Sequence, residues 1–347
     1  MITGIAGFVG PHLATHLLEA GHTVAGIIKT HADRTIPKRI VESNLIGKVK
    51  LTECDITDIY SLNDVMERDK PDWVFHLASQ SFVPYSISNP LDTYTTNSTG
   101  TTNLLEVLRK RAPQAKLIFA GSSEEYGKQY TMKEFNWNKE NGAEPEFNIW
   151  TDKDGEFPIS EQNPLRPNTL YGVTKVYGDY MCRTYTKTFG LSTVVSRAFN
   201  HEGYGRAPQF VTASIIRQLC AIKAGETTKL HIGDTTAQRD WSHVDDICAG
   251  YVLMASAGAP GRVYVQGSGV ARTVEQFMTG AAEYIRPGHY EIVKDVKARP
   301  AEIPYLRADP SRIKQELGWA PRKGLTEIIE DLYEYYKIPA NRNNLMV

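Results

Sequence analysis

The sequence predicts a doubly wound α/β fold, in which a parallel sheet carries helices on both faces, followed by a smaller α/β domain. Short apolar runs alternate with stretches of helical periodicity over the first half of the chain, and this alternation is typical of a parallel sheet. A glycine-rich turn at residues 3–10 precedes the first helical stretch. From about residue 200 the alternation loosens and Gly and Pro become frequent. We therefore predict one domain at residues 1–199, with a return segment near 230–256, and a second at residues 200–347.

The individual elements follow from the spacing of apolar residues. Helices are predicted where apolar side chains recur every three or four positions, and strands where they form short continuous runs. Gly21 and Pro71 lie where two of the helices should end. The predicted strands are residues 24–28, 49–51, 73–77, 116–120 and 193–198, and the predicted helices are residues 11–20, 61–68, 100–111, 172–189 and 325–336.

The composition is that of an ordinary globular enzyme of 347 residues, with 41% hydrophobic and 23% charged residues. The formal net charge of −1 gives no electrostatic argument for binding nucleic acid or an anionic membrane. No apolar run approaches the roughly 18 residues of a membrane span, and no basic-then-apolar leader opens the sequence.

His76 and His201 have no second ligand at zinc spacing, so packing or hydrogen bonding is expected of them rather than metal binding. The cysteines form no CxxC pair, which favours a reduced, cytoplasmic protein; they are Cys54, Cys182, Cys220 and Cys248.

The glycine-rich turn is typical of a Rossmann-type dinucleotide-binding site. Gly4 permits the tight turn, Gly7 lets the backbone approach a pyrophosphate, and Gly10 allows the helix to pack closely on the sheet. Free N–H groups at the helix N-terminus, around Phe8 and Val9, are expected to bind the phosphates. Only two residues precede the turn, so the first strand is expected to be short or to begin upstream.

The end of the second predicted strand favours NADP over NAD. NAD sites usually carry an acidic residue there, which accepts a hydrogen bond from the ribose 2′-hydroxyl. This chain instead carries Lys29, followed by Arg34, whose positive charges suit a 2′-phosphate. The alternative interpretation of these residues is an exposed basic loop. Asp55 and Ile56, after the third strand, are expected beside the adenine ring.

Tyr171 and Lys175 lie one helical turn apart on the same face of a predicted helix. The ammonium group is expected to lower the pKa of the phenol and to hold the nicotinamide ribose, so that the phenolate can accept a hydroxyl proton. This spacing alone is weak evidence, because tyrosine and lysine often share a helix face. Ser122 strengthens it, because it follows the strand at residues 116–120, and doubly wound sheets bind ligands at the carboxyl ends of their strands. Ser122 is expected to hydrogen-bond the reacting oxygen.

Glu124 follows Ser122 and is a candidate base for abstracting a proton from carbon. The alternative is structural, since a carboxylate at this position can cap a helix or pair with a basic neighbour. Its neighbour Glu125 is the one expected to be solvated.

The stretch at residues 128–163 is polar, acidic and dotted with aromatic residues, without a clear period. Loops of this length inside a domain are usually functional or disordered. We therefore expect a flap near the active site, with a neutral surface insertion as the alternative.

These motifs resemble the extended short-chain dehydrogenase/reductases, the family of nucleotide-sugar epimerases, dehydratases and reductases, over nearly the whole chain. The segments that carry the resemblance are residues 4–10, 76–80, Asn97, 100–101, Ser122, Tyr171, Lys175, 197–201, 239–243 and 299–302. The resemblance implies cofactor contacts at Leu77, Ala78, Gln80 and Asn97, and substrate contacts at Ser81, Ser123, Asn200, His201, Arg239, Arg299 and Glu302. Arg239 and Arg299 would clamp a diphosphate, unless they are surface arginines.

The resemblance assigns NADP to the first domain and mainly the nucleotide sugar to the second. It also implies a homodimer or homotetramer that pairs the helices bearing Tyr171.

Two activities within the family fit best. Residues 26–29, 80–83, 199–202 and 239–241 resemble 4,6-dehydratases that act on GDP-mannose. The stretch at residues 122–127 resembles more closely the reductases that act on GDP-4-keto-6-deoxy-mannose, which have serine where the dehydratases have threonine. The dehydratase is preferred, because Glu124 supplies the C5 base that neither the reductase nor a C4 epimerase needs. A non-catalytic NADP sensor would be expected to lack Tyr171 or Lys175.

Overall fold

In the described part of the chain, the strands form one large sheet and two small ones. The computed structural model describes residues 1–29, 35–127, 158–294 and 303–343. The strands are β1 (Ile2–Thr3), β2 (Ala25–Ile28), β3 (Lys50–Glu53), β4 (Trp73–His76), β5 (Lys116–Ala120), β6 (Thr193–Ala198), β7 (Asn200–Glu202), β8 (Lys229–His231), β9 (Gln238–His243), β10 (Val263–Gln266), β11 (Ala271–Thr273) and β12 (Glu291–Val293). Seven of them form a wholly parallel sheet in the order β3-β2-β1-β4-β5-β6-β10. The strand order reverses between β1 and β4, which is where open α/β sheets bind ligands.

Helices cover both faces of this sheet and build the second part of the molecule. They are α1 (Val9–Glu19), α2 (Lys38–Glu42), α3 (Ile59–Asp69), α4 (Val83–Ser88), α5 (Pro90–Tyr94), α6 (Gly100–Arg111), α7 (Leu170–Phe189), α8 (Val211–Lys223), α9 (Val244–Ala257), α10 (Val274–Ile285), α11 (Ser311–Leu317), α12 (Leu325–Tyr336) and α13 (Pro339–Asn343), with a π-helical turn at Thr95–Thr99 and a 3₁₀ turn at Ser123–Glu125. The predicted Rossmann-type doubly wound fold is confirmed.

The helix boundaries differ from the predicted ones where a capping residue extends the first turn. Helix α3 begins two residues before the predicted start, because the Asp58 carboxylate accepts the Tyr60 N–H at 3.0 Å. Helix α7 likewise begins at Leu170, because Thr169 Oγ1 accepts the Gly172 N–H at 2.9 Å. The spacing of apolar residues carries no information about such capping side chains, so it placed the start of both helices two residues too late.

Two apolar cores pack against opposite faces of the large sheet. On one face, Leu13 of α1 and Tyr251 of α9 are buried against the strands. On the other face, Leu104 of α6 and Cys182 of α7 are buried. Burying one such leucine side chain stabilises the fold by on the order of 2 kcal/mol. The two layers therefore hold α1 and α7 rigidly beside the switch point.

The second part of the chain has its own core and also returns to the large sheet. Helices α8, α10 and α12 enclose a cluster that includes Leu219, Phe277 and Leu332. The small sheets β11-β9-β7 and β12-β8 flank this cluster. The chain then rejoins the first layer, because α9 packs on α1 and β10 pairs with β6. It stays a prediction that residues 1–199 bind NADP and that residues 200–347 mainly bind the nucleotide sugar. Among the described residues, no helix is long and apolar enough to cross a membrane.

Candidate active site

The glycine-rich turn forms an open cradle at the start of α1. Gly4 has φ +70°, and a Cβ atom there would lie 2.8 Å from the backbone N of Ala78. A Cβ at Gly10 would collide with the backbone of Ile5, so only glycine permits this approach of helix to strand. Gly7 is exposed, and its missing Cβ would meet only the Gly4 carbonyl. The backbone beside the α1 N-terminus is therefore accessible to a phosphate, which fits a dinucleotide.

A cleft of about 250 Å³ opens from this cradle at the switch point. Most of the predicted site residues line it: Gly4, Gly7, Phe8, Val9, Gly10, Leu77, Ser81, Ser122, Ser123, Glu124, Tyr171, Lys175, Asn200 and His201. The fold thus brings the glycine-rich turn, the turn after β5 and the start of α7 to one place, although the glycine-rich turn lies more than a hundred residues before the other two in sequence.

Helix α7 places Tyr171 and Lys175 on its buried face. Lys175 Nζ donates a hydrogen bond to the Ala120 carbonyl at 2.7 Å and lies 5.7 Å from the centroid of the Tyr171 ring. Burial lowers the pKa of Lys175 to about 8, and the charge of Glu125 opposes this effect. Lys175 thus has a fixed position beside the phenol.

The expected lowering of the Tyr171 pKa is wrong for this structure. Burial raises the pKa of the phenol above its ordinary value, and the charges of Glu124 and Glu125 raise it further. A hydrogen bond with Ser122 and the charge of Arg206 oppose this rise without outweighing it. The reason is physical: removing a phenolate from water costs more than the nearby cations return.

The turn after β5 holds two adjacent carboxylates in different environments. Ser122 caps the 3₁₀ turn, and its Oγ accepts the Glu124 N–H at 3.2 Å. Glu124 is half-buried and lines the cleft. Glu125 is fully buried, so the expectation that it would be solvated is wrong. Burial is possible because Arg197 lies 3.3 Å away and because the Ser122 N–H donates to Glu125 Oε1 at 2.8 Å.

The facing wall of the cleft comes from residues 199–210. His201 Nδ1 lies 2.8 Å from the Phe199 carbonyl oxygen, so Nδ1 carries the proton and Nε2 is left as an acceptor. Burial lowers the pKa of His201 to about 4, which keeps the ring neutral. Asn200 Oδ1 is buried without a hydrogen-bond partner in the structure. It is therefore available to a ligand.

Arg206 also lines the cleft and was not predicted from the sequence. Its guanidinium lies 3.5 Å from the centroid of the Phe210 ring and 4.8 Å from that of Phe8. Its Nε lies 3.1 Å from Glu202 Oε2. A cation between two aromatic rings at the glycine-rich turn suits an anionic ligand. The only available signal was a basic residue in the glycine-containing turn after β7, which no spacing rule distinguishes from a surface arginine.

The loop after β4 is fixed by Asn97. The Asn97 amide accepts the Gln80 N–H at 2.8 Å and donates to the Gln80 carbonyl at 3.0 Å and to Thr174 Oγ1 at 2.9 Å. Gln80, Asn97 and Ala78 lie beside the cleft rather than in its lining. Their cofactor contacts stay predictions, and the contacts observed for Asn97 tie the loop to α7.

Four further predicted residues, Lys29, Asp55, Ile56 and Arg239, do not line the cleft. Lys29 Nζ lies 3.4 Å from Asp55 Oδ2 at the carboxyl ends of β2 and β3. Ile56 is buried in the core. Arg239, on β9, donates to the Gln238 carbonyl at 2.8 Å and does not line the cleft.

The remaining predictions fall at least in part outside the described residues. Arg34, Arg299 and Glu302 lie outside them, as does the stretch at residues 128–157 of the expected flap. The end of that flap is described, and the Ile159 N–H there donates to the Arg307 carbonyl at 2.7 Å.

Comparison with known proteins agrees with this geometry. The model of the NAD dependent epimerase/dehydratase family matches residues 1–267. GDP-mannose 4,6 dehydratase 1 of Arabidopsis thaliana is 31% identical, over 95% of this chain and 87% of that protein. GDP-6-deoxy-D-mannose reductase of Pseudomonas aeruginosa is 29% identical, over 95% of both chains.

Solved structures give the same result. RMD from Pseudomonas aeruginosa, complexed with NADPH, superposes with a TM-score of 0.76 at 27% identity, over 97% of this chain and 98% of the other. UDP-glucose 4-epimerase from Thermotoga maritima, with UDP-glucose, superposes with a TM-score of 0.80 at 25% identity, over 97% of both chains. A family model that covers most of the chain, together with a cleft built as the motifs predicted, leaves one assignment: this chain belongs to the NAD dependent epimerase/dehydratase family.

Proposed function

We propose that this protein is an NADP-dependent nucleotide-sugar 4,6-dehydratase that converts GDP-mannose to GDP-4-keto-6-deoxy-mannose. The observation that carries the proposal is the position of Glu124, a half-buried carboxylate in the same cleft as Ser122 and Tyr171. A 4,6-dehydratase needs a base of this kind to remove the C5 proton of the sugar. The 30% and 31% identity to two Arabidopsis thaliana GDP-mannose dehydratases supports the substrate.

Several of the predicted dinucleotide-binding groups line the described cleft. The backbone at Gly7, Phe8 and Val9 would bind the pyrophosphate at the N-terminus of α1, and Lys175 would hold the nicotinamide ribose. A bound nicotinamide would supply the hydride chemistry, with a hydride taken from C4 of the sugar and returned to C6, so that no cofactor would be consumed.

The side chains of the cleft supply the proton transfers. Tyr171 Oη takes the proton of the C4 hydroxyl as C4 becomes a ketone, while Ser122 Oγ hydrogen-bonds the same oxygen. The ketone acidifies the C5–H bond, and Glu124 removes that proton. Glu124 passes this proton to the C6 hydroxyl, which leaves as water. Once C6 has received the hydride, C5 takes up a proton from solvent through Glu124, and Tyr171 releases the proton of the C4 hydroxyl to solvent. Lys175 keeps a positive charge beside the phenolate that forms.

A reductase is the second candidate, and Ser122 is the observation that favours it. The relative from Pseudomonas aeruginosa is named a GDP-6-deoxy-D-mannose reductase, and its similarity covers 95% of both chains. In that reaction Tyr171 would donate a proton to the C4 oxygen, NADPH would be consumed, and Glu124 would have no proton to move. A C4 epimerase would likewise need no C5 base.

We propose NADP rather than NAD as the cofactor because Lys29 stands where an NAD site usually has a carboxylate. The side chain is 71% exposed, and its partner Asp55 leaves the ammonium group accessible to a 2′-phosphate.

We also propose a cytoplasmic location, since the four cysteines are free and buried.

We further propose a homodimer or homotetramer formed through α7. Val173 and Tyr180 on this helix are 50% and 53% exposed, and Leu91 and Tyr94 on the adjacent α5 are 80% and 55% exposed. Apolar side chains exposed on adjacent helices are typical of an interface between subunits. Light scattering of the purified protein tests this, and a Tyr180→Glu variant should shift the molar mass to that of a monomer.

One incubation tests the proposed activity. The protein is mixed with GDP-mannose and a catalytic amount of NADP, and the nucleotide sugar is weighed by mass spectrometry. Loss of one water without accumulation of NADPH establishes the dehydratase. An unchanged mass, followed by consumption of NADPH with GDP-4-keto-6-deoxy-mannose, establishes the reductase instead.

A further inference from the structure

A buried charge network lies directly beneath the cleft and is not part of the reaction described above. Glu125 and Asp179 are both fully buried and share the cation Arg197. Arg197 Nε donates to Asp179 Oδ2 at 2.9 Å and lies 3.3 Å from Glu125 Oε2. Asp179 is paired in addition with Arg183, whose Nε donates to Asp179 Oδ1 at 2.6 Å. Among the described residues Glu125 has only the shared arginine as an ion-pair partner, so it is the more costly of the two carboxylates to bury.

Glu125 connects this network to the catalytic turn through the backbone. The Ser122 N–H donates to Glu125 Oε1 at 2.8 Å. A Cβ at Gly121 would lie 2.5 Å from the same oxygen, so the chain bends closely around the carboxylate. Ser122 lines the cleft together with Tyr171 and opposes the rise of the Tyr171 pKa. The position of the Ser122 hydroxyl thus depends on Glu125.

Glu125 also acts on Lys175 through charge. Lys175 lies one turn before Asp179 on α7, and its Nζ is held at the Ala120 carbonyl, one residue before Gly121. We propose that Glu125 is a positioning residue: its carboxylate holds the Ser122 backbone in place and puts a buried negative charge beneath the turn at residues 120–122 to which Lys175 is bound. The second half of this proposal rests on the proposed function, in which Tyr171 is the acid–base group.

The ionisation behaviour of the pair supports this role. Burial, and then the charge of Asp179, raise the pKa of Glu125 to about 8, while burial lowers the pKa of Lys175 to about 8. Each group favours the charged form of the other, because the charge of Lys175 lowers the pKa of Glu125 and the charge of Glu125 raises the pKa of Lys175. The other titratable and charged groups that face this pair are His76 from β4, Tyr126 from the same turn, Tyr171, Asp179, Cys182 and Arg183 from α7, and Arg197 from β6. Without the charge of Glu125, the pKa of Lys175 is expected to fall further.

Two variants separate the charge from the hydrogen bond. Glu125→Gln keeps an acceptor for the Ser122 N–H but loses the charge, so the alkaline limb of the kcat/KM profile should move down by about one pH unit, a loss of about tenfold in activity on that limb. Hydrogen exchange at the Ser122 amide should stay as slow as in the wild type. Glu125→Asp keeps the charge, but its side chain is too short to accept the Ser122 N–H. The alkaline limb of the kcat/KM profile should therefore stay at the wild-type pH, and hydrogen exchange at the Ser122 amide should accelerate about tenfold.

Both measurements use the NADP-bound protein, with Glu283→Gln, an exposed glutamate on α10, as the matched control. A pH profile and an amide exchange rate that match this control in both variants overturn the proposal. If Glu125→Gln fails to bind NADP, the exchange rate in Glu125→Asp decides. If the wild type converts neither sugar substrate, the proposed function fails, while the exchange experiment, which needs no sugar, still tests the role of Glu125.

Discussion

The two walls of the cleft hold their side chains in different ways. The first wall, made by the glycine-rich turn, the Ser122–Glu124 turn and the start of α7, carries helix and turn caps in which a side chain accepts a nearby backbone N–H, as Thr169 does. The second wall, residues 199–210, has no such cap in the described residues and is held by ring and ion-pair contacts, among them the stacking of His201 on Phe8 with ring centroids 6.2 Å apart. The first wall therefore carries groups preorganised for chemistry, whereas the second carries groups that shape ligand binding. We expect substitutions in the first wall to change kcat, and those in the second to change affinity.

The largest effect is expected for Tyr171→Phe. Removing the phenolic oxygen eliminates the acid–base group without creating a cavity, so kcat should fall by about 10³-fold. The dissociation constant for NADP, measured by titration calorimetry, should change little. Tyr60→Phe, at an exposed position on α3, is the matched control and should retain full activity. If Tyr171→Phe keeps more than a tenth of the wild-type kcat, another group moves the C4 proton.

The next largest effect is expected for Glu124→Gln. The amide cannot accept the C5 proton, so kcat should fall by about 10²-fold. Exchange of the C5 hydrogen with solvent deuterium, followed by mass spectrometry, should disappear while NADP binding persists. Persistent C5 exchange would remove Glu124 from the mechanism. An unchanged rate of NADPH consumption with the keto sugar would favour the reductase.

Arg206→Lys tests the second wall. Lysine keeps the charge but cannot stack between Phe8 and Phe210, so the guanidinium plane that faces the cleft is lost. The dissociation constant for NADP should rise about tenfold, while kcat at saturation should fall less than threefold. The inverse pattern, a large loss of kcat with unchanged affinity, would contradict the distinction between the two walls.

The same distinction explains how much the sequence could predict. The first wall was predictable because its rules are local: glycine spacing, the four-residue interval from Tyr171 to Lys175, and a turn at a strand end. The second wall was less predictable, because the contacts of Arg206 and His201 with Phe8 join residues distant in sequence, and Arg206 was missed. Arg239 was predicted to contact the substrate but lies outside the cleft lining. The burial of each side chain was the property that the sequence predicted least well. Glu124 and Glu125 are adjacent, yet only the tertiary position of Arg197 makes one of them fully buried.

The smallest effect is expected outside both walls, at Lys29. Its side chain is exposed and already pairs with Asp55, so a contact with the 2′-phosphate would contribute only modestly to binding. Lys29→Ala should raise the dissociation constant for NADP about threefold and leave that for NAD unchanged, as measured by titration calorimetry at low and high salt. Lys48→Ala, an exposed lysine before β3, serves as the control. Equal weakening of both dinucleotides would mean that Lys29 does not recognise the 2′-phosphate. Because Lys29 contacts neither wall, kcat at saturating cofactor should stay at the wild-type value, and a decrease would show that the walls are coupled to the adenine end of the site.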